Sequence, residues 1–171
     1  MMKLRRPSLQ DKAAFLEMLA EIDQDGSRMS SGNIYAWQKA GGDFDMWLSL
    51  IQQQETRDIL GSGLGPFSMY LSYEGNRLIG LLALRTTDTS AVLGEYGHIG
   101  YCIRPSERGK DYAKEQLRLG LLEAKSKNIS RVLVTCHVDN EASRRTIVSQ
   151  GGRLENLVEE TERYWIHLEE L

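Results

Sequence analysis

The stretch IRPSERGKDYAKEQLRLGLLEA, residues 103–124, starts as a strand and ends as a helix. Between the two lies Pro105-Ser106-Glu107-Arg108-Gly109-Lys110-Asp111, a short turn rich in charge; beyond it Ala113, Leu117, Gly120, Leu121 and Ala124 fall on one helical face. A strand that feeds a tight turn and then a helix leaves the helix-start N–H groups without partners, and these donors together with the helix dipole form an anion site. Arg104, Arg108, Lys110 and Lys114 add positive charge, while Glu107 and Asp111 offset part of it. A phosphate or pyrophosphate is the natural guest. The bland alternative is a solvated turn of mixed charge.

Working outward, residues 2–6 suit an opening strand, and Ser8 with Asp11 gives an S-x-x-D helix start before Phe15, Met18, Leu19 and Ile22. Asp25 to Gly42 is rich in Gly and Ser and reads as a loop. A second helix starts near Asp43, carries Trp47, Leu50 and Ile51, and is ended by Gly61, Gly63, Gly65 and Pro66. Phe67–Tyr73 and Leu78–Arg85 are strands around a hairpin at Glu74-Gly75-Asn76-Arg77, residues 86–96 are a polar loop, and His98–Arg104 is the next strand. After the helix, Arg131–Val138 contains Val132-Leu133-Val134, an apolar run typical of a strand buried on both faces. Asp139-Asn140 caps a short helix that stops at Gly151-Gly152, and Leu154–Val158 and Arg163–Leu168 are closing strands. The order is β-α-α-β-β-β-α-β-α-β-β, with no repeat and no linker, which predicts one domain over residues 1–171.

The net charge of −3 offers no basic excess for nucleic acid. No apolar run approaches the length of a membrane span, and the basic N-terminus lacks the apolar stretch of a secretion signal. Two cysteines, far apart and each in an apolar segment, make neither a disulfide framework nor a zinc pattern, and they suit a reducing cytoplasm. No nucleic-acid or membrane partner and no metal are expected.

The segment RGKDYA resembles the R/Q-x-x-G-x-G/A loop of the GNAT superfamily of N-acetyltransferases: Arg108 matches the first position, Ala113 the last, and Asp111 replaces the central glycine. Downstream, DNEASRRTIVSQGG resembles the second signature of that family, an Asn-x-x-Ser/Ala helix start that ends in a Gly-containing turn. Together with GHIGYCIRPSERGKDYA these segments are similar to a bacterial branch of predicted acetyltransferases. The resemblance implies an α/β acyl-CoA N-acyltransferase fold, a mixed and mostly antiparallel sheet with helices on both faces. It also implies acetyl-CoA as donor substrate, no metal, and direct transfer to a primary amine in a ternary complex. The pyrophosphate would lie on the N–H groups of Arg108, Gly109, Lys110, Asp111, Tyr112 and Ala113. The pantetheine arm would run beside Ile103, in a gap between the strand ending at Arg104 and the strand ending at Val138. Asn140 and Ser143 would stand near that arm, although Asn is also a good helix cap and Ser is ordinary on a first turn. Asp111 keeps its N–H, but it tolerates unusual dihedrals less well than glycine, and its carboxylate repels a diphosphate unless it faces solvent or pairs with Arg108 or Lys110.

Many relatives place an acid Tyr seven residues after the helix-start Asn; that position here is Ile147, which cannot donate. Cys136 and Tyr164 are the candidate replacements, and both residue types also serve as core. For the base, Glu95 and His98 lie just before and within the strand leading to the turn; an imidazole titrates near neutrality, while a strand His is also commonly structural. His137 and Tyr101 are further candidates. Tyr35, Trp37, Phe44 and Trp47 lie in the region that in this fold tends to build the acceptor wall, with plain core as the alternative for Trp47. A second reading is a catalytically degenerate GNAT-fold protein that binds acyl-CoA or a partner. A nucleotide-phosphate binder of another kind lacks any P-loop or G-x-G-x-x-G match. The acceptor is open among a polyamine, an antibiotic, an amino acid and a protein N-terminus, and a homodimer is compatible with the sequence.

Overall fold

Ser8 donates its N–H to the Asp11 carboxylate at 2.8 Å, and the same buried carboxylate accepts from Tyr73 Oη and Arg5 Nη2, both at 2.6 Å. The helix-start signal is therefore also a bolt between the first helix and the sheet. The computed structural model describes residues 1–29 and 31–171. Its elements are β1 (Met2–Arg5), α1 (Lys12–Asp25), α2 (Ser31–Lys39), α3 (Phe44–Gln54), β2 (Phe67–Glu74), β3 (Arg77–Arg85), β4 (Ile99–Ile103), α4 (Tyr112–Ser126), β5 (Arg131–His137), α5 (Glu141–Ser149), β6 (Arg153–Val158) and β7 (Thr161–His167).

Strand ends shift by one or two residues, and three larger differences separate the structure from the sequence reading. The expected loop over residues 25–42 contains α2, and Ser30 lies outside the described residues. Its fully buried positions are Asn33 and Ala36, with the buried Ala40 just past its end, so a polar residue and two small ones hide the helical period. Second, α3 stops at Gln54, ahead of the glycines. The buried Gln54 amide donates to Gly65 O at 2.9 Å and accepts from the N–H groups of Ile59 and Leu60, which organises the loop beyond the helix. Third, residues 86–96 are not all loop: Val92–Tyr96 forms a π-helical turn seated on the buried Val92.

The strands form a four-stranded sheet, β1-β2-β3-β4, and a three-stranded sheet, β5-β7-β6, with every ladder antiparallel. Strand alternation sends Leu81 and Ala83 to the face covered by α1, α2 and α3, and Leu82 and Leu84 to the face covered by α4. Helices thus cover both faces, as expected. Among the described residues no helix is long and apolar enough to cross a membrane.

The turn before α4 is anchored from α1. Arg104, 2% exposed, donates to Glu21 Oε2 from Nε at 2.9 Å and Nη2 at 2.7 Å, and to Leu78 O from Nη1 at 3.0 Å. Glu21 also accepts the Ser106 N–H. Partial burial pushes the Glu21 carboxyl up, but Ser106 and Arg104 outweigh it and bring it down from 4.5 to about 2. A folded-state value below the unfolded one stabilises the protein fully above pH 4.5 and is lost as the pH falls toward 2. Glu21→Gln is therefore expected to cost about 2 kcal/mol at neutral pH, after allowance for partial exposure. In urea unfolding, the difference from wild type should shrink between pH 5 and pH 3; a difference that is constant with pH would contradict this account.

Candidate active site

The hydrogen bonds of β4 decide which of its edges is free. Arg104 donates its N–H to Ile79 O, and His98 O accepts from the Arg85 N–H. With Ile103 opposite Gly80 and Ile99 opposite Leu84, the residues bonded to β3 alternate, so Ile99, Tyr101 and Ile103 turn their N–H and C=O groups to the other edge. On β5 the same logic applies. Val138 N–H bonds Glu160 O and Leu168 N–H bonds Ser130 O, so Leu133, Thr135 and His137 present their peptide groups toward β4.

The two edges meet at one end only. His98 N–H donates to Leu133 O at 2.7 Å, and Leu133 N–H donates to His98 Nδ1 at 2.8 Å. Gly97 permits this approach: its φ is +70°, and a Cβ there would stand 2.6 Å from Leu133 O. Beyond that point no further hydrogen bond joins β4 to β5 among the described residues, and a cavity of about 910 Å³ fills the divergence. Its walls are Ile99, Tyr101 and Ile103 on one side and Thr135, Cys136 and His137 on the other. The turn before α4 lies along the same cavity.

That turn contributes Arg108, Gly109, Asp111, Tyr112 and Ala113 to the cavity lining, whereas Lys110 stands outside it, paired with Glu107 at 3.0 Å. Gly109 and Asp111 are both left-handed, at φ +75° and +63°. Asp111 thus occupies the conformation that glycine takes at little cost. Its side chain is 80% exposed, the first of the two expected arrangements, and it pairs with Lys114 at 3.1 Å rather than with Arg108 or Lys110. Arg108 is engaged elsewhere: Nε donates to Ile103 O, Nη1 to Asp25 and Nη2 to Ser27, each at 3.1 Å. It braces the turn against β4 and the end of α1, and it occupies the Ile103 carbonyl.

At the start of α5, Asn140 Oδ1 accepts the Ser143 N–H at 3.1 Å, which makes Asn140 the cap. Ser143 Oγ lies 2.9 Å from Tyr101 Oη, and both residues line the cavity. Burial raises the Tyr101 phenol to about 12, against a smaller opposing effect of the Ser143 bond, so the proton stays on at neutral pH. Cys136 also lines the cavity; burial, and then the nearby Glu162 carboxylate, raise its thiol to about 11. Glu95 is exposed on the π-helical turn and lines the cavity, and its carbonyl accepts from Thr135 Oγ1 at 3.1 Å. His137, at the cavity wall, bonds Glu160 at 3.0 Å through Nε2.

The remaining candidates are not brought to the cavity. His98 is 3% exposed and outside the lining. Its Nδ1 accepts from Leu133, which puts the ring proton on Nε2, 2.7 Å from Asp88 Oδ1. With both nitrogens committed, His98 is the clasp that closes the end of the gap. Tyr164 is buried among Val134, Ile166 and Leu168, and its hydroxyl donates to Glu162 at 3.3 Å. Ile147 is fully buried in the same core. The N-terminal aromatics pack on one another, with Phe15 stacked 4.3 Å from Trp47 and tilted 5.4 Å from Phe44. Phe44 and Trp47 are core, Tyr35 donates to Leu60 O at 3.2 Å, and none of Tyr35, Trp37, Phe44 or Trp47 lines the main cavity. Ser27 and Arg28 reach it instead. Sequence reading missed Arg85 and Tyr96 in the lining; the one available signal was a charged residue directly following the apolar run LIGLLAL of β3. Among the described residues no cluster of His, Cys, Asp or Glu is arranged to hold a metal ion.

The model of the acetyltransferase (GNAT) domain matches residues 2–153. No curated protein matches the chain. Among solved structures, RimJ from Mycobacterium smegmatis in complex with CoA-disulfide superposes with a TM-score of 0.76 at 18% identity, over 99% of this chain and 83% of that one. Mutant forms of the spermidine/spermine N-acetyltransferase SpeG from Vibrio cholerae give 0.67 at 17% identity, over 99% and 96%. The acetyltransferase yncA from Salmonella typhimurium, described as putative and solved with its cofactor acetyl-CoA, gives 0.65 at 16% identity, over 99% and 95%. At these identities the likeness establishes the fold, which is the acyl-CoA N-acyltransferase fold expected from the two sequence signatures.

Proposed function

The chain belongs to the GNAT acetyltransferase family, and on that footing we propose that it transfers the acetyl group of acetyl-CoA directly to a primary amine in a ternary complex. The observation that carries the reading is the parting of β4 and β5 beside the turn that starts α4. Free peptide groups of Tyr101 and Thr135 suit the amides of a pantetheine arm, in the manner of an added strand. The N–H groups between Gly109 and Ala113, at the mouth of a helix, suit the diphosphate.

In this reading the amine nitrogen attacks the thioester carbonyl, the C–S bond breaks, and the thiolate takes a proton from the Tyr101–Ser143 hydroxyl pair. Glu95, at the solvent side of the cavity, receives the proton the amine loses. No acetyl-enzyme is required. Burial raises Cys102 as well as Cys136 to about 11, so neither supplies a thiolate near neutrality. Two free cysteines suit a reducing compartment, and we place the protein in the cytoplasm.

The test is acetyl-CoA titration by calorimetry together with CoA release across a panel of primary amines. Saturable binding with release from at least one amine is the expected result. Binding without release from any of them would favour the second reading, a non-catalytic acyl-CoA binder, which the apolar Ile147 at the usual acid position supports. Asp111→Gly is expected to tighten acetyl-CoA several-fold, because it removes a carboxylate from beside the diphosphate and allows a closer approach of the turn. Unchanged or weaker affinity would show that Lys114 already neutralises Asp111.

A further inference from the structure

The molecule holds two fully buried arginines at the ends of neighbouring strands, and they are treated differently. Arg104 faces Glu17 and Glu21. Arg85, equally buried at 2% exposure, has no Asp or Glu within ion-pair reach among the described residues. Its Nη1 donates to two carbonyls, Tyr96 O at 3.2 Å and Gly97 O at 3.0 Å. Its Nε is buried without a partner among the described residues, and no bond is made through Nη2. The Nε–Nη2 edge, which in a guanidinium matches the two oxygens of a carboxylate, is therefore uncommitted. A buried cation without a counter-charge is costly, and proteins rarely keep one away from an anion.

Arg85 lines the cavity at the end where Glu95 and Tyr96 also line it, beside the clasp of His98 and Leu133. By strand alternation it projects to the same sheet face as Leu81 and Ala83, under α1 and α2, the face opposite α4. A cofactor seated on the turn before α4 would thus approach along β4 from the opposite end of the cavity. Resting on the acetyl-transfer reading above, we infer that the acceptor amine carries a carboxylate, and that Arg85 is the residue that recognises it. The carboxylate supplies the counter-charge that the fold withholds, while the Glu95 carboxylate faces the ammonium end. The acceptor is an amino-carboxylate, taken either as a free amino acid or as the N-terminus of an acidic peptide.

The test separates this inference from the activity. Wild-type protein, with CoA present at saturation, is titrated by calorimetry with N-acetylglycine, N-acetyl-β-alanine and N-acetylaspartate, each beside its carboxamide. An N-acetyl dipeptide amide with aspartate second represents the peptide source. At least one carboxylate should bind about tenfold or more tightly than its uncharged partner, as expected for a buried polar group left unpaired by the wrong ligand. The peptide arm alone showing the preference would assign the peptide source. In Arg85→Gln the preference should vanish while the CoA Kd stays within about twofold; Arg85→Lys, which keeps charge without the fork, should retain part of it. Carboxamides binding as well as carboxylates, no ligand of either kind binding, or a preference that survives Arg85→Gln would each overturn the inference. If a variant does not fold, the wild-type comparison decides alone. If CoA does not bind, the acetyl-transfer reading falls, and the same titration without CoA still decides the role of Arg85.

Discussion

Ser143→Ala should lower kcat about 100-fold, the size usual for loss of a positioned proton donor, with the acetyl-CoA Kd changed less than about threefold. The expectation rests on the 2.9 Å contact between Ser143 Oγ and Tyr101 Oη at the cavity wall. In the proposed reaction the two hydroxyls in contact act as one donor: the phenol is held protonated by burial, and the serine can pass a proton across the pair. Tyr101→Phe should therefore cost about as much as Ser143→Ala, and the double variant little more than either, because groups that work as a unit are strongly non-additive. Losses that multiply in the double variant would mean two independent roles. A double variant with wild-type kcat would remove the pair from the mechanism. If kcat holds and KM rises, the pair merely shapes the pocket.

His98→Ala should be the most destabilising single change near the gap, at about 3 kcal/mol, or a Tm lower by roughly 10 °C. The imidazole accepts the Leu133 N–H, donates to Asp88 and fills space beside Trp165, with ring centroids 6.1 Å apart. Its removal orphans a buried backbone donor and leaves a void where the two sheets are joined. The acetyl-CoA Kd should rise as well, since the apex of the gap then no longer has a set spacing. His98→Gln, which keeps a side-chain acceptor, should recover about half of the lost stability. A variant that is normally stable but lacks turnover would instead point to direct chemistry by the imidazole.

Local signals were read where neighbours in the chain carry them. The caps at Ser8, Asp43 and Asn140 stand where the S-x-x-D, Asp and Asn signals placed helix starts. The hairpin around Gly75 agrees with the reading of the chain, and the parting of β4 and β5 beyond His98 falls between the two strands that the resemblance named. The misses have physical causes. The buried positions in and just past α2 are Asn33, Ala36 and Ala40, which a hydrophobic pattern does not register. Gln54, an ordinary polar residue by sequence, ends α3 because its amide is buried against the Gly65 carbonyl and the N–H groups of the following loop.

What the order of residues determined alone was the strand–turn–helix at 103–124 and the Asp111 that stands there in the place of a glycine. Each is a matter of backbone geometry within a few residues. Only the tertiary structure decided where each side chain at the gap stands and what it touches. His98 and Glu95 lie three residues apart, yet one is sealed between sheets and the other faces the cavity. Tyr101 and Ser143 meet across 42 positions of chain. Arg104 finds two carboxylates on α1, where Arg85 finds none among the described residues. Burial, and the charge or hydrogen-bond partner it brings, is set by elements distant in sequence, so two arginines at neighbouring strand ends are held differently according to what folds against them.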